Sequence, residues 1–262
     1  GSGFLNALEA VRAGILKLLP ERAVWARGAK ALFVADLHLG KAATFRALGA
    51  PAPTGVSEET LRRLAELIET ISPQNVVALG DFTHARTAMT PGLLKSLCAW
   101  RARWSPLAFT IVLGNHDRGA DRFYSDCGFA CAEVPALIGG IECRHHPIAR
   151  DNVSGPLALA GHIHPVVRLN GPGRDSLRTP CFVMGERQIV LPAFGEFTGG
   201  SLVTPGEGER ALIATARGVF DVTRGPGTAW QTSRLSDRKD SVRRKRKIPL
   251  HSAGGRCACA SR

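Results

Sequence analysis

Residues 31–41 read ALFVADLHLGK, and this stretch decides the fold. Its first five residues, Ala31 to Ala35, are small or apolar without interruption, which is typical of a strand buried on both faces of a sheet. Asp36 ends the run, and His38 follows two positions later. A buried strand that ends in a carboxylate and an imidazole indicates a functional site at the carboxyl end of the strand.

A predicted strand followed by a polar motif occurs four more times. The other four strands are predicted at residues 75–79, 109–113, 138–144 and 157–160. The motifs that follow them are Gly80-Asp81-Phe82-Thr83-His84, Gly114-Asn115-His116-Asp117, His145-His146-Pro147 and Gly161-His162-Ile163-His164. Seven of the eight histidines lie in the five motifs, and His251 is the exception. Because ligands of α/β folds gather beyond the carboxyl ends of strands, we expect one shared site.

Amphipathic segments separate the first three strands and predict helices. Residues 57–71 place leucine and isoleucine on one face, and Ser57 is the predicted cap. A second helix is predicted to begin with Thr90 as its cap and a proline in its first turn. An N-terminal hairpin, or a helix leading into one, and strands at residues 181–184 and 188–191 complete the pattern. Strands and helices that alternate, with several strands after them, predict a single layered α/β sheet domain.

The net charge of +12 is unevenly distributed. Residues 234–262 contain ten Lys/Arg against two Asp, which gives +8 and leaves +4 for the rest of the chain. Residues 243–247 are an unbroken basic run, which either adds nonspecific affinity for nucleic acid or is simply solvated. We therefore predict a domain over residues 1–222 and a basic, disordered tail over residues 223–262.

Seven cysteines, an odd number without disulfide-like spacing, predict a reduced, intracellular protein. Cys127/Cys131 and Cys257/Cys259 are close pairs, but neither has the second pair that a zinc site needs, so isolated thiols are predicted. No apolar run approaches the roughly 20 residues of a membrane span, and the N-terminus lacks the order of a signal peptide. These features predict a cytoplasmic protein that has no membrane partner.

The side chains of the five motifs are typical of a site for divalent metal ions. Imidazole, carboxylate and amide oxygen together suit borderline ions such as manganese, iron or zinc. About six to eight such ligands exceed what one tetrahedral ion needs, whereas two ions that share a carboxylate use them all. Because side chains alternate along an extended segment, the spacings Asp36/His38 and His162/His164 would let each pair grip one centre. The sequence therefore predicts two metal ions with a phosphate held between them.

The ordered motifs Asp-x-His, Gly-Asp-x-x-His, Gly-Asn-His-Asp, His-x-Pro and Gly-His-x-His resemble the calcineurin-like metallophosphoesterase superfamily over residues 30–200. The resemblance implies a sheet sandwich flanked by helices, and hydrolysis of a phosphate ester by a metal-bridging hydroxide. Residues 35–41, Phe45-Arg46, His84 and the segment from Leu191 to Gly200 are similar to one branch, the ligase-associated DNA damage response endonucleases (PdeM type). This likeness implies a manganese-dependent DNA endonuclease that prefers single strands. It also implies a role in DNA repair beside an ATP-dependent DNA ligase, a helicase and a second nuclease.

The resemblance also assigns ligands to two ions, with Asp81 shared between them. The first ion would be held by Asp36, His38, Asp81 and His164. The second would be held by Asp81, Asn115, His145 and His162. The doublet leaves open whether His145 or His146 is the ligand, although the His-x-Pro spacing favours His145. His146 would then contact phosphate or support the ligands.

Three more side chains have catalytic roles by the same resemblance. His116 would stabilise charge on the transferred phosphoryl group or protonate the leaving oxygen, and Asp117 would orient its ring. His84 would lie at the substrate edge of the site, where many members of the superfamily carry Asp instead.

Basic residues that follow the metal motifs are candidates for a path of the DNA backbone. They are Lys41, Arg46, Arg86, Arg118 and Arg122. Each of them alone is better explained as a solvated surface charge, whereas the group as a whole fits a binding path and a solvated surface equally well. The segment from Phe194 to Gly200 is either a loop that closes over the site or a plain turn. An aromatic content of 6% does not indicate an extended base-stacking platform.

Two other functions remain open from the sequence. One is a phosphatase or phosphodiesterase for small nucleotides or metabolites, which would have a deep pocket beside the metals, whereas a nuclease would have an open basic groove. The other is a nucleic-acid-binding scaffold with an idle site, although a complete set of ligands argues against it.

Overall fold

The computed structural model describes residues 6–152, 154–171 and 175–223 and arranges them as two β-sheets with flanking helices. The first sheet has six strands, which stand in sequence order across it. They are β1 (Leu16–Leu19), β2 (Ala23–Ala26), β3 (Ala31–Val34), β4 (Asn75–Leu79), β5 (Ala108–Val112) and β6 (Ala130–Ala132). β1 and β2 form the predicted N-terminal hairpin, and β3 to β6 are parallel. The carboxyl ends of the parallel strands therefore meet at one edge of the sheet.

The second sheet contains the other nine described strands. They are β7 (Ala136–Ile138), β8 (Ile141–Cys143), β9 (Ala158–Ala160), β10 (Pro165–Asn170), β11 (Ser176–Met184), β12 (Gln188–Val190), β13 (Ser201–Leu202), β14 (Arg210–Thr215) and β15 (Gly218–Asp221). The long β11 pairs with β10 through its first half and with β12 and β14 through its second half. β8 and β9 are parallel, so the chain leaves both at the same edge, towards His145 and Gly161.

Five α-helices and one 3-10 turn accompany the sheets in the described ranges. They are α1 (Ala7–Arg12), α2 (Lys41–Ala47), α3 (Val56–Ile71), the 3-10 turn (Arg86–Ala88), α4 (Pro91–Ala102) and α5 (Asp121–Asp126). Across these ranges, no helix combines the length and the apolar character that crossing a lipid bilayer requires.

Side chains of the first sheet alternate between two apolar cores. Leu32 and Val76 belong to the core that lies under α3, α4 and α5. Phe33 and Val77 point the other way and belong to the same core as Phe182 of the second sheet. This alternation follows from the two-residue period of a strand. It confirms the predicted α/β sandwich of sheets flanked by helices, built as a single domain.

Two predicted features of the later chain differ from the structure. Residues 138–144 form a hairpin and not one strand, because the chain turns at Gly139-Gly140 between β7 and β8. Both glycines have positive φ, which suits such a tight turn. Residues 224–262 of the predicted basic tail lie outside the described residues, so the prediction for residues 223–262 stays a prediction.

The two predicted helix caps have different outcomes. Thr90 caps α4 as predicted, since its side chain accepts a hydrogen bond from the Leu93 N–H at 3.2 Å. Ser57 does not cap α3, because the helix starts one residue earlier, after Gly55 in the left-handed conformation. The Ser57 hydroxyl instead accepts a hydrogen bond from the Gly40 N–H at 2.8 Å, which joins α3 to the first residue before α2.

The prediction of isolated, reduced thiols is wrong for Cys98 and Cys127, which form a disulfide. Cys98 lies on α4 and Cys127 directly follows α5, and both side chains pack in the same apolar core. The contact between the helices brings together two residues that are 29 positions apart, which local spacing does not reveal. Cys131 is free, and Cys257/Cys259 lie outside the described residues.

Candidate metal centre

The five polar motifs converge at one place, beyond the carboxyl ends of strands from both sheets. The motifs after β3, β4 and β5 come from the first sheet, and those after β8 and β9 come from the second. Within the described residues, their side chains form groups of three whose potential ligand atoms lie within 4.8 Å of one another. The groups are Asp36/His38/His164, Asp36/Asp81/His145, His145/His146/His162 and His38/His84/His116. The motifs therefore form the shared site that the strand ends predict.

The four side chains predicted to hold a first ion face one another. The Nε2 atom of His164 lies 3.6 Å from Oδ1 of Asp36 and 3.1 Å from Nε2 of His38. The Nε2 atom of His38 in turn lies 3.8 Å from Oδ2 of Asp81. Both carboxylates are almost completely buried, so water screens them little.

The predicted ligands of a second ion surround His145. Its Nε2 atom lies 2.8 Å from Oδ1 of Asn115, 3.0 Å from Nδ1 of His162 and 3.4 Å from Oδ2 of Asp81. His145 is completely buried, whereas His146 is exposed and places its ring centroid 4.0 Å from that of His162. This geometry favours His145 as the inner ligand and leaves His146 at the rim, and the assignment stays a prediction.

The geometry of Asp36 fits a bound cation. Its Oδ2 atom accepts a hydrogen bond from the His162 N–H at 2.8 Å, which fixes the orientation of the carboxylate. Its Oδ1 atom is buried without a hydrogen-bond partner and faces Nε2 of His164 and Nδ1 of His145, at 3.6 and 3.7 Å. A buried carboxylate oxygen is costly unless a donor or a cation compensates it. The donor set therefore fits divalent ions.

Five of the candidate ligand residues have a left-handed backbone, with φ between 45° and 75°. They are Asp36, His38, Asp81, His162 and His164. Residues other than glycine rarely adopt this conformation, and such strain concentrates at functional sites. The predicted extended geometry of the Asp-x-His and His-x-His segments is therefore wrong. In addition, His162 and His164 belong to different groups and do not grip one centre as a pair.

Glycines before the ligands permit close approaches between motifs. A Cβ atom on Gly80 would lie 2.1 Å from Nδ1 of His145, and one on Gly161 would lie 2.6 Å from Oδ2 of Asp36. Gly80 also has a φ of 78°, which disfavours any side chain. The glycines of these motifs are thus a steric requirement of the site.

Asp117 does not orient the ring of His116, and that prediction is wrong. Its buried carboxylate accepts hydrogen bonds from the N–H groups of Phe82 and Gly114, at 3.1 and 3.0 Å, and from the hydroxyl of Tyr124. Asp117 therefore holds in place the backbone of the two loops that carry Asp81 and Asn115. Burial, together with Asp117, raises the pKa of Tyr124 well above its usual value. The sequence gives no signal for Tyr124, because it lies outside every motif.

His116 and His84 lie side by side at the edge of the site. The Nε2 atom of His116 is 3.8 Å from Oδ2 of Asp81, and its backbone N–H donates to Oδ1 of Asp81 at 2.9 Å. The His84 ring stacks on the His116 ring at a centroid distance of 5.2 Å and an angle of 27°. Both rings also come within ligand range of His38, so their roles as non-ligands stay predictions.

Burial favours neutral imidazoles in the metal-free site. It lowers the pKa of His38 to about 2 and the pKa of His84 to about 4. It also lowers the pKa of His146 and His162 below the usual value. Neutral imidazole is the form that binds a metal ion. Burial likewise raises the pKa of Asp81, so ionised Asp81 is costly until a cation compensates it.

Lys41 and Arg118 lie close enough to the site to influence its histidines. The Nζ atom of Lys41 donates a hydrogen bond to the Thr198 carbonyl at 3.1 Å, and its charge adds to the lowering of the His84 pKa. The charge of Arg118 acts in the same direction on the pKa of His146. These two predicted substrate-binding residues therefore lie beside the two ligand groups.

The other basic candidates are exposed or already form hydrogen bonds. Arg46 donates hydrogen bonds to the carbonyl groups of Ala52 and Pro53, in the loop after α2. Arg86 is exposed on the 3-10 turn, and Arg122 is exposed on α5. Their contact with substrate stays a prediction.

The segment from Phe194 to Gly200 packs against the site and is more than a plain turn. The Gly195 N–H donates to the carbonyl of Asp36 at 3.3 Å. Arg63 of α3 donates to the Phe194 carbonyl at 3.0 Å and lies 4.7 Å above its ring. Arg63 also forms an ion pair with Glu196. Its role was not predictable, because the contact joins residues 131 positions apart.

Residues 29–180, more than half of the chain, match the calcineurin-like phosphoesterase family. The protein belongs to this family and is a metal-dependent phosphoesterase. The solved structure of the Pseudomonas putida nuclease MPE is similar, with 38% identity and a TM-score of 0.67 over 79% of this chain and 94% of that chain.

Two other solved structures are more remote. The E. coli phosphoesterase Yfce is 16% identical, with a TM-score of 0.35 over 65% of this chain and 83% of that chain. A protein of unknown function from Aquifex aeolicus is 20% identical, with a TM-score of 0.35 over 55% of this chain and 82% of that chain. Among curated proteins, none matches the chain.

Proposed function

We propose that this phosphoesterase is a two-metal endonuclease that cuts DNA and prefers single strands. The observation that carries the proposal is the pair of ligand groups on either side of Asp81, at a site that opens to solvent through His146 and His162. An open site accepts a polymer that passes across it. The similarity to a nuclease over 94% of that chain supports the same conclusion.

The side chains of the site have distinct tasks in this reaction. When bound, two divalent ions would supply the nucleophile and neutralise the phosphate oxygens. Asp36, Asp81 and the surrounding imidazoles would hold those ions. The His116 side chain is 37% exposed, so it can reach the substrate and protonate the leaving oxygen. Lys41 and Arg118 would contact neighbouring phosphates of the strand.

Two alternative functions have less support. A phosphatase for small nucleotides needs a deep pocket beside the metals. Cavities of about 230 and 500 Å³ exist in the described part of the chain, but no motif residue lines either of them. A scaffold with an idle site conflicts with the eight candidate ligands, seven of which form overlapping groups of three while Asn115 contacts His145.

The finer parts of the proposal rest on the resemblance of His84 and residues 191–200 to the ligase-associated branch. Manganese is the proposed metal, with iron or zinc as alternatives. DNA repair is the proposed process, in the cytoplasm, with an ATP-dependent DNA ligase, a helicase and a second nuclease as partners.

Metal reconstitution tests the proposal. The protein is stripped with a chelator, restored with manganese, iron or zinc singly, and tested on circular single-stranded DNA, duplex DNA and a small phosphodiester. We expect the circular single-stranded DNA to be cleaved fastest of the three substrates. We also expect manganese to give the highest rate of the three metals. Rapid turnover of the small ester without DNA cleavage would contradict the nuclease function, and no turnover of any substrate would favour the scaffold.

Variants of two adjacent residues distinguish metal binding from catalysis. Asn115→Ala should lose both metal and activity, because it removes a ligand oxygen. His116→Ala should keep both metals and lose about 10²- to 10⁴-fold in kcat, which is the usual contribution of a general acid. Metal analysis and kcat measurements check this. A His116→Ala enzyme that loses a metal would show that His116 is a ligand.

A further inference from the structure

Four aromatic rings form a continuous row that leads out of the metal centre. The row starts at His116, on which His84 stacks. The Phe45 ring follows at a centroid distance of 6.1 Å from His84. Phe197 ends the row, 5.8 Å from Phe45 and perpendicular to it. Its inner end is therefore polar and close to the ligands, and its outer end is apolar.

Among the phenylalanines that the structure describes, Phe45 alone is exposed. It is 36% exposed, although it lies on α2, whose first residue, Lys41, borders the ligand groups. A phenylalanine face left open to water loses the stabilisation that burial would give. At the rim of a phosphate site, an open ring offers a face that a flat ligand can cover.

The backbone around Phe197 is fixed on both sides. Before it, Glu196 forms ion pairs with Arg22, at 2.9 Å, and with Arg63. After it, the Thr198 carbonyl accepts the hydrogen bond from Lys41. The Phe197 ring therefore has a defined position beside the Phe45 ring and perpendicular to it.

We infer that Phe45 and Phe197 form a stacking site for a nucleobase next to the scissile phosphate. This inference rests on the proposed function and names the part of the substrate that the metals do not touch. Every base has an apolar face, so such a site holds the strand without reading its sequence. A base can reach an aromatic ring only when it is unpaired, so the site also explains a preference for single strands.

Base-free DNA tests the inference. An oligothymidylate is compared with a strand of the same length made of abasic tetrahydrofuran nucleotides, which keeps every phosphate. Stacking on an aromatic side chain is worth roughly 5- to 150-fold in affinity per base. We expect wild-type kcat/KM to be about 10-fold higher on the thymidylate strand, mainly through KM.

Phe45→Leu should remove most of this preference, because leucine keeps apolar bulk but has no flat face. Its kcat/KM on the base-free strand and its metal content should equal those of the wild type. Phe45→Tyr should restore the preference. Leu48→Ala is the matched control, since Leu48 follows the same helix and is 80% exposed, and it should behave like the wild type.

The outcomes separate the two proposals. A wild-type enzyme that cleaves neither strand overturns both the nuclease function and the stacking site. Equal wild-type rates on the two strands overturn the stacking site alone. An equal loss on both strands in Phe45→Leu also overturns it, because the ring would then support only the structure.

Discussion

Asp117 is a buried carboxylate that accepts hydrogen bonds mainly from backbone N–H groups. Its acceptors bind N–H groups of the loops that follow β4 and β5, which carry Asp81 and Asn115. The hydroxyl of Tyr124 donates to the same carboxylate and lies 2.8 Å from the Thr83 hydroxyl. One buried side chain thereby sets the distance between two ligand-bearing loops.

Asp117→Asn should destabilise the protein by about 2–4 kcal/mol, because an amide NH₂ would face backbone donors in a buried place. It should also weaken metal binding, since the loops beside Asp81 lose their common acceptor. Tyr124→Phe is the matched control. It removes one donor, should cost about 1–2 kcal/mol and should keep the metals.

Urea unfolding and metal analysis of the two variants check this prediction. An Asp117→Asn protein with wild-type stability and metal content would mean that the loops hold their positions without the carboxylate.

At the scale of elements, α3 and the segment from Phe194 to Gly200 hold each other in place. Arg63 is the link, through the Phe194 carbonyl, the Phe194 ring and Glu196. Its neighbour Arg62 points away from the segment and pairs with Glu59 and Glu66 on the exposed face of the helix.

Arg63→Ala should destabilise the protein by about 1–2 kcal/mol, from the lost hydrogen bonds and cation–π contact. Arg62→Ala should leave stability unchanged within error, because exposed ion pairs contribute little. Urea midpoints of the two variants give the comparison. Equal midpoints would show that the segment does not depend on Arg63.

How well the sequence predicts each strand depends on how deeply that strand is buried. β3 has only small or apolar side chains, and β4 and β5 contain one polar residue each, Asn75 and Thr110, so each strand is a largely apolar run in the sequence. β13 has only two residues, both exposed, and leaves no such pattern. β7 and β8 look like one strand in the sequence, because only Gly139-Gly140 separates them and no polar residue marks the turn.

The sequence predicts which residues cluster at the candidate site, but not the residues that support them. The candidate ligands occur in short motifs, so spacing finds them. Tyr124 and Arg63 act across 41 and 131 positions, on Thr83 and Phe194, and these contacts exist only in the folded chain. The left-handed backbone of the ligands is equally absent from spacing, since it arises where several strand ends crowd together.

At the scale of the whole molecule, buried neutral imidazoles make the metal-free protein sensitive to acid. The pKa of His38 lies at about 2 and that of His84 at about 4, below the usual 6.5 because of burial. The unfolded chain therefore binds protons below about pH 6.5 that the folded protein does not yet bind. Stability should fall as the pH decreases from about 6.5 to about 4, and His38 continues the loss below that.

A variant isolates this effect from the titration of other groups. His84→Gln has no ring to protonate, so acidification from about pH 7.5 to about pH 4.5 should destabilise it less than the wild type. Urea unfolding of both proteins in chelator, at the two pH values, makes the measurement. Identical losses in the two proteins would show that His84 does not contribute.

The ligand groups draw on both sheets, and His38 and His164 meet although 126 positions separate them. In polymer terms, a cation bound between such residues is a removable cross-link that closes a very long loop. When bound, such a cation would link residues that follow strands of the two different sheets. Removing it should therefore loosen the seam between the sheets as well as stop catalysis, so metal supply would set the rigidity of the enzyme.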